Sequence, residues 1–455
     1  MAVSPDIFKA YDIRGLYGEQ IDGDAAEQIG RAFVRVLAEL AGKAPEGLRI
    51  GLGRDMRLTA PELAGRYRDG MLAEGAHVLD AGMVGTEMLY FLVGSRGLDG
   101  GLMCTASHNP KPYTGAKLVR EGAIALSGDH GIQDIRRAIA DGLGDPPGGG
   151  SVEEVDVAAE FREAALAFID PANVKPLKVV VDGGNGMAGR MAGPLLGRLG
   201  LDLVTTYWEP DGDFPDHEPN PLLEENRRFI VDKVRATGAD LGIAWDGDAD
   251  RCFFIDDGGH FVDGDFLTAI LAEHLLAKDP GSSILYDVRA SRAVPDTIAR
   301  AGGTAHANRV GHAFFKTRMR DEGAIFGGEV SGHYYFHGFY NADSGTIPAL
   351  LVLEKLSVEG KTMSELLEPY RSAYFISGEI NSEVADGEAK MAELEGRYAD
   401  ARISHLDGVS IDYDDWHFNV RPSNTEPLLR LCLESLVSER DMERRRDEVL
   451  GIIRG

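Results

Sequence analysis

Apolar residues change their spacing along the chain, and these changes mark the predicted elements. Short apolar runs at 48–55, 177–186 and 282–291 each stop at Asp, Gly or Arg before a helical pattern begins. That is the strand, turn and helix order of parallel α/β units, and three occurrences predict three related α/β domains. The segment 24–40 predicts a helix, because its apolar residues share one face at helical spacing. These residues are Ile29, Phe33, Val36, Leu37 and Leu40.

The C-terminal part has a different pattern. Apolar and polar residues alternate at 409–413 and 416–420, and 428–435 adds a strand-like run. A period of two is typical of an antiparallel sheet with one solvated face, so we expect a smaller α+β domain here. The segment 141–154 is rich in Gly and Pro and predicts a linker. We therefore expect four domains. The three α/β domains span 1–148, 149–255 and 256–368, and the α+β domain spans 369–455.

Composition narrows the classes of function. The 455 residues include 47 Lys+Arg and 74 Asp+Glu, and the net charge of -27 repels nucleic acid and anionic membrane surfaces. The three scattered cysteines do not form a disulfide framework, and no CxxC pair indicates zinc. No signal-peptide pattern is present, and no apolar run approaches the roughly 20 residues of a membrane span. We expect a soluble, cytoplasmic protein. If it binds an anion, a local cluster of cationic side chains must do so.

Three carboxylates stand at alternate positions after an apolar run. Asp246, Asp248 and Asp250 can aim at one point, because alternate side chains of extended or gently curved backbone share a side. Hard oxygen ligands suit a hard divalent cation. An EF-hand loop also begins D-x-D-x-D, but Arg251 stands where that loop has Gly and Asp257 where it has Glu. The pattern predicts a metal site rather than a calcium loop or a solvated acidic turn.

The stretch 105–110, Thr-Ala-Ser-His-Asn-Pro, combines a nucleophile, a proton-handling side chain and a rigid bend. Ser107 is the nucleophile, His108 follows it, and Pro110 fixes the backbone after it. Whether these residues form an active site depends on what the rest of the chain supplies.

Two further stretches carry candidate binding residues. In 326–336, three polar side chains at alternate positions offer two hydrogen-bond acceptors and a donor, as the recognition of hydroxyl groups requires. The alternative is that they are ordinary polar residues of a loop. These three residues are Glu329, Ser331 and His333. The turn after the strand at 416–420 offers an Arg fork, two hydroxyls and an amide, which suit a phosphate cradle or a plain hairpin loop. Its residues are Arg421, Ser423, Asn424 and Thr425.

Together, TASHNP, DGDADR, GEVSGH and RPSNTEP resemble the four signature loops of the α-D-phosphohexomutases, in the same order and over almost the whole chain. The opening 8-FKAYDIRG-15 is also similar to that family's. The resemblance implies a four-domain, heart-shaped fold in which each domain contributes one loop to a central cleft. It also implies that Ser107 is a phosphoserine that gives and receives the phosphoryl group. An oxygen of Ser107 and the aspartates 246, 248 and 250 would hold Mg²⁺.

The resemblance extends to single residues around these loops. Lys117 and Arg14 match positions of the general acid/base step, with Tyr11 beside Arg14, and a Lys close to Arg and metal charges is expected to have a depressed pKa. His108 is expected in the catalytic set as well. Substrate-facing roles are implied for Arg251, for His312, and for Arg289, which stands where many members carry Lys.

The implied activity is interconversion of hexose 6-phosphate and hexose 1-phosphate through a hexose 1,6-bisphosphate, which is also the expected activator. The phosphate loop reads Ser-Asn-Thr, whereas glucosamine-specific relatives usually have Ser-Gly-Thr. We therefore expect phosphomannomutase activity together with phosphoglucomutase activity. The alternatives are a phosphoglucosamine mutase, a Mg²⁺-dependent sugar-phosphate phosphatase and a catalytically silent sugar-phosphate sensor. The sequence does not indicate an oligomeric state.

Overall fold

The computed structural model describes residues 3–128, 130–423 and 428–455. Asn424 and Thr425 of the predicted phosphate cradle lie outside the described residues. Among the residues that are described, no helix is both long and apolar enough to cross a bilayer.

The first sheet is mixed. Its strands are β1 (Ile13–Leu16), β2 (Arg49–Arg54), β3 (His77–Met83), β4 (Gly100–Cys104), β5 (Tyr113–Arg120), β6 (Ile124–Ala125) and β7 (Ser151–Glu154). The order is β1-β5-β4-β2-β3-β7, with β6 on β5. Strands β4, β2, β3 and β7 run parallel, whereas β5 is antiparallel to β1 and β4. The helices of this region are α1 (Gly23–Ala41), α2 (Ala60–Ala73), α3 (Thr86–Ser95) and α4 (Ile132–Asp141).

Helix α1 confirms the helix predicted at 24–40. The Asp22 side chain accepts from the Ala25 amide at 2.8 Å and begins the helix, and Gly42 ends it in the left-handed conformation. Four of the five predicted apolar residues are buried, but Leu40 is 51% exposed. The last three residues of the helix are all exposed, so its C-terminal end extends past the core.

The predicted linker at 141–154 was wrong for its last four residues. They form β7, which pairs in parallel with β3 at the edge of the sheet. All four side chains are exposed. An edge strand that buries no side chain has no alternating apolar signal, so its presence depends on backbone pairing alone.

The second sheet carries the predicted aspartate loop. Its strands are β8 (Lys178–Asp182), β9 (Asp202–Thr206), β10 (Leu241–Trp245) and β11 (Cys252–Ile255), in the order β11-β10-β8-β9. The helices are α5 (Ala158–Leu166), α6 (Ala188–Met191), α7 (Gly193–Leu196) and α8 (Glu224–Thr237). Strands β10 and β11 are antiparallel, so residues 246–251 form the connection of a hairpin whose strands are fully buried.

The next part of the chain alternates strands and helices. Its strands are β12 (Ser283–Asp287), β13 (Thr304–Asn308), β14 (Phe326–Gly328), β15 (Tyr334–Phe336) and β16 (Ala342–Asp343). Strand β12 pairs in parallel with β13 and β14, and β15 is antiparallel to β16. The helices are α9 (Gly264–Lys278), α10 (Ala293–Arg300), α11 (His312–Glu322), α12 (Thr346–Glu359) and α13 (Met363–Arg371).

The C-terminal sheet is antiparallel, as the alternating pattern predicts. Its strands are β17 (Phe375–Glu383), β18 (Arg402–Ser404), β19 (Val409–Asp412), β20 (Trp416–Pro422) and β21 (Leu428–Ser435), in the order β17-β21-β20-β19-β18. Helices α14 (Gly387–Arg397) and α15 (Glu439–Arg454) accompany it. The alternating residues Val409, Ile411, Phe418 and Val420 belong to one core. The expected fold class, three α/β regions and a C-terminal α+β region, is confirmed.

The chain forms two compact units. The first consists of the described residues up to Phe261 together with His333–Gly360, and the second of Val262–Gly332 together with Lys361–Gly455. The serine and aspartate loops belong to the first unit, whereas Glu329 and Arg421 belong to the second. The bounds of the four domains given above stay predictions.

Candidate active site

Ser107 follows β4, in the loop that leads to β5. Its backbone has a φ of 49°, in the left-handed region, and its amide donates to Thr105 Oγ1 at 2.8 Å. The side chain is buried, and Oγ donates to Asp246 Oδ2 at 2.8 Å. His108 Nδ1 lies 3.2 Å from the same hydroxyl. The loop conformation therefore aims the serine hydroxyl at the aspartate loop, with an imidazole beside it.

The hairpin between β10 and β11 brings the three predicted aspartates together. Carboxylate oxygens of Asp246, Asp248 and Asp250 lie within 4.8 Å of one another, and all three side chains are fully buried. Within the described part of the chain, one oxygen each of Asp248 and Asp250 has no hydrogen-bond partner. Buried carboxylates with unbonded oxygens at this spacing fit a hard divalent cation.

Two cations balance part of this negative charge. Lys117 Nζ donates to Asp248 at 2.7 Å and also to Asp250, and Arg251 donates to Asp246 through two nitrogens at 3.0 and 2.7 Å. Burial by itself lowers the pKa of Lys117, but the carboxylates of Asp248 and Asp250 outweigh it and raise that pKa. The expected depression of the Lys117 pKa depends on a nearby metal charge and stays a prediction. Three carboxylates against two cations leave the cluster with room for further positive charge.

The serine and aspartate loops approach each other closely at a glycine. A Cβ atom on Gly247 would lie 2.6 Å from the carbonyl oxygen of Ser107. The aspartate loop is also bound from its other side, because the Thr86 amide donates to the Asp248 carbonyl at 3.0 Å and the Thr86 hydroxyl to its carboxylate at 2.5 Å. Only a residue without a side chain fits at position 247.

The structure identifies Arg57 as a residue that the sequence reasoning missed. Its guanidinium is buried beside Asp55, 3.4 Å away, and donates to four backbone carbonyls of the serine loop. These belong to Ser107, Asn109, Pro110 and Tyr113, at 2.6 to 3.1 Å. One side chain thus holds the whole loop. Its position just after β2, at the carboxyl end of a central parallel strand, was the available signal.

Arg14 reaches the serine loop from a different strand. It lies on β1, which pairs with the strand that carries Lys117, and donates to Asn109 Oδ1 at 2.6 Å. Asp12 binds the other end of the guanidinium. Tyr11 precedes β1 and is partly buried. The structure therefore brings Arg14 to the serine loop rather than to the aspartates.

The predicted hydroxyl-recognition motif is divided between the two units. In the second unit, buried Glu329 accepts from the Gly311 amide at 3.0 Å, directly before His312 at the start of α11. Arg289 lies 4.0 Å from Glu329 and is bound by Asp287 at 2.8 Å. Ser331 lies in the loop after β14, partly buried.

His333 belongs to the first unit and approaches the aspartate loop. Its imidazole and the carboxylates of Asp250 and Asp343 have ligand atoms within 4.8 Å of one another. Among the described residues, Asp250 therefore takes part in two clusters of potential ligands, whereas Asp246 and Asp248 take part in one.

The described part of the predicted phosphate cradle lies at the end of β20. Arg421 is buried, and its Nε lies 3.3 Å from Asp407. Arg430, on β21, was missed by the sequence reasoning: it lies 3.5 Å from Ser423 Oγ and donates to Glu379 at 2.9 Å. The antiparallel pairing of the two strands places Arg430 directly opposite Arg421. This proximity can be predicted only when the register of the hairpin is known.

Comparison with known proteins agrees with this arrangement. Family models of phosphoglucomutase/phosphomannomutase match residues 5–143 (domain I), 159–259 (domain II), 263–373 (domain III) and 379–452 (C-terminal domain). A relative from Xanthomonas campestris pv. campestris (strain B100), described as phosphohexose mutases, is 42% identical over 98% of this chain and 99% of its own length. A phosphomannomutase of Escherichia coli strain K12 is 41% identical, over 98% of each chain.

A solved structure gives the same result. A phosphoglucomutase/phosphomannomutase family protein from Burkholderia thailandensis is 34% identical, with a TM-score of 0.90 over 99% of this chain and 97% of that chain. From the agreement of sequence and fold over almost its whole length, the chain belongs to the phosphoglucomutase/phosphomannomutase family.

Proposed function

We propose that the protein interconverts hexose 6-phosphate and hexose 1-phosphate, acting on mannose phosphates and also on glucose phosphates. The observation that carries the proposal is the contact between the Ser107 hydroxyl and Asp246 at 2.8 Å, inside a buried cluster of three carboxylates. A nucleophile beside a metal site is what phosphoryl transfer requires. The phosphomannomutases among the relatives support the choice of sugar.

Asp246, Asp248 and Asp250, with an oxygen on Ser107, would hold Mg²⁺. When bound, this ion supplies positive charge to the non-bridging oxygens, on which the charge of a loose phosphoryl-transfer transition state lies. The buried, unbonded oxygens of Asp248 and Asp250 support this assignment. Arg57 and Arg251 fix the positions of the serine loop and of Asp246, respectively.

The proposed reaction uses Ser107 as a phosphoserine. Its phosphorus–oxygen bond breaks while a new one forms to a sugar hydroxyl, and the hydroxyl proton passes to a side chain of the site. Burial and the neighbouring Arg251 lower the pKa of His108, so this imidazole is neutral and able to accept a proton. The raised pKa of Lys117 keeps that side chain protonated, so it supplies positive charge beside Asp248 and Asp250.

The second transfer returns a phosphoryl group to Ser107 from the other end of a hexose 1,6-bisphosphate. The phosphate that is not reacting needs a cationic partner, and Arg421 and Ser423, together with Asn424 and Thr425, are proposed for this role. Arg430 is proposed as an additional member, because it lies 3.5 Å from Ser423. Glu329 and Ser331 are proposed to contact sugar hydroxyls, and a trace of the bisphosphate is proposed to load the serine.

The test is phosphorus NMR of the purified protein with Mg²⁺, mannose 1-phosphate and a trace of glucose 1,6-bisphosphate. It records isomerised hexose phosphate and free phosphate in the same sample. We expect isomerisation by the wild type and by Ser151→Ala, an exposed serine of β7, and none by Ser107→Ala. Retention of more than about 1% of the wild-type rate in Ser107→Ala, an effect below roughly 3 kcal/mol, removes Ser107 from the nucleophile role. Free phosphate without isomerised sugar identifies a phosphatase instead.

A further inference from the structure

One cavity in the first unit has no part in the proposed reaction. Its volume is about 540 Å³, which is in the range of small-molecule sites. It lies between the end of β3, the start of α3, the segment around Val157, and helices α6 and α7. Its apolar wall consists chiefly of Met83, Val84, Met88, Val157 and Met191.

Two arginines also line the cavity, one partly buried and one exposed. Arg162 and Arg190 line the cavity, and neither side chain makes an ion pair or hydrogen bond with a residue that the structure describes. Asp156 is the acidic residue of the lining, and its carboxylate accepts from the Ala158 amide at 2.8 Å. Two unpaired arginines suit an anion, because a guanidinium binds a carboxylate or phosphate through two parallel hydrogen bonds. Methionines adapt their shape to an apolar group.

The cavity wall is one residue away from the aspartate loop. The Gly85 amide lies 3.2 Å from the sulfur of Met191, and a Cβ atom on Gly85 would lie 3.0 Å from the Asp248 carbonyl oxygen. The next residue, Thr86, donates to Asp248 through its amide and its hydroxyl. A shift of Met191 therefore reaches Gly85, Thr86 and the Asp248 carboxylate through direct contacts.

We propose that this cavity binds a small anion with an apolar body, held by Arg162, Arg190 and the methionine wall, and that its occupation changes the affinity of the aspartate loop for its metal ion. The proposed binding of the anion does not depend on the proposed function. The proposed effect on metal affinity rests on the proposed metal site. Because such coupling is reciprocal, metal binding changes the affinity of the cavity for the anion by the same factor.

Binding is tested by calorimetry on the full chain with n-hexyl phosphate. We expect inorganic phosphate and hexanol to bind at least about tenfold more weakly. Inorganic phosphate lacks the apolar body that contacts the methionines, and hexanol lacks the charge that the arginines bind. The double variant Arg162→Ser, Arg190→Ser should lose at least about tenfold in affinity. Arg198→Ala, an exposed arginine bound to Glu163 outside the cavity, is the matched control and should bind as the wild type does. Unchanged affinity in the double variant, or loss of binding in Arg421→Ala instead, overturns the proposal.

Coupling is tested by titrating Mg²⁺ with and without saturating n-hexyl phosphate. We expect at least a twofold change in Mg²⁺ affinity (about 0.4 kcal/mol) in the wild type and none in the double variant. An unchanged Mg²⁺ affinity with the anion bound overturns the coupling. Neither titration depends on turnover, so failure of the mutase assay and failure of this proposal are distinguishable.

Discussion

The two units contain ionic clusters of opposite composition. In the first unit one cation, Lys117, is surrounded by carboxylates, with Asp248 at 2.7 Å. In the second unit one carboxylate, Glu379, is bound by two guanidiniums, those of Arg289 at 2.8 Å and Arg430 at 2.9 Å. Lys117 thus has carboxylates as its charged partners and Glu379 has guanidiniums, while Arg251 in the first cluster and Asp287 in the second balance part of the remaining charge.

The pKa values follow these compositions. Burial lowers the pKa of Lys117, but the surrounding aspartates raise it above the ordinary value. Burial raises the pKa of Glu379, but Arg289 and Arg430, with a smaller effect of Arg421, lower it below the ordinary value. The charge of the groups around the central ion is in each case opposite to that of the proposed ligand, a metal ion in the first unit and a phosphate in the second.

The largest expected effect is on the first cluster. Asp250→Asn should lower kcat/KM about 10³-fold, because metal coordination contributes several kcal/mol to charge stabilisation. Mg²⁺ affinity, measured by calorimetry, should fall in the same variant. Asp202→Asn, an exposed residue of β9, is the control and should leave both quantities unchanged. Normal Mg²⁺ affinity in Asp250→Asn would contradict the view that the carboxylate excess serves a metal ion.

The buried carboxyl of Glu87 belongs to neither ionic cluster, because hydroxyl groups bind it instead of cations. It shows what burial does to a pKa without a cationic partner. Ser344 and Thr346 donate to Glu87, yet burial raises its pKa to about 7. Between about pH 4.5 and 7 the unfolded chain releases this proton while the folded chain keeps it. The free energy of unfolding should therefore decrease as pH rises through this window, by about 3 kcal/mol, and stay level above it.

Urea unfolding of the wild type and Glu87→Gln at several pH values checks this decrease. The amide cannot titrate, so the difference between the two proteins should change by about 3 kcal/mol across the window. A constant difference would show that the Glu87 carboxyl has an ordinary pKa in the folded protein.

Arg430 provides a test of the second cluster. Arg430→Ala should lower kcat/KM by about 10- to 100-fold, or about 1.5–3 kcal/mol, if it makes a charge-assisted bond to phosphate. Mg²⁺ affinity should stay unchanged, in contrast to Asp250→Asn. Arg440→Ala, an exposed arginine of α15, is the control. A loss of less than about threefold in Arg430→Ala would exclude a direct phosphate contact.

The smallest expected effect follows from removing the central anion of the second cluster. Glu379→Gln frees Arg289 and Arg430 from a carboxylate that is 22% exposed. The inhibition constant of inorganic phosphate should decrease by about threefold, roughly 0.7 kcal/mol, as for other partly exposed ion pairs. An increase in that constant would mean that Glu379 orients the guanidiniums rather than competing for them.

The sequence predicts those features that depend on local repetition. Helix α1 and strands β2, β8 and β12 were found because buried positions recur along a single element. The three aspartates were found because alternate positions of one loop share a side. Strand β7 was missed because no side chain of it is buried. Arg57 and Arg430 were missed because their partners are far away in sequence, 50 residues from Arg57 to Ser107 and 51 from Arg430 to Glu379.

The left-handed backbone of Ser107 has a consequence for the evolution of the chain. At a φ of 49°, glycine is free of the steric strain that costs a serine about 1 kcal/mol. Ser107→Gly therefore relieves this strain, but it also removes the hydroxyl and its hydrogen bond to Asp246. If Ser107 is the proposed nucleophile, selection on turnover keeps a serine at a position whose backbone conformation favours glycine.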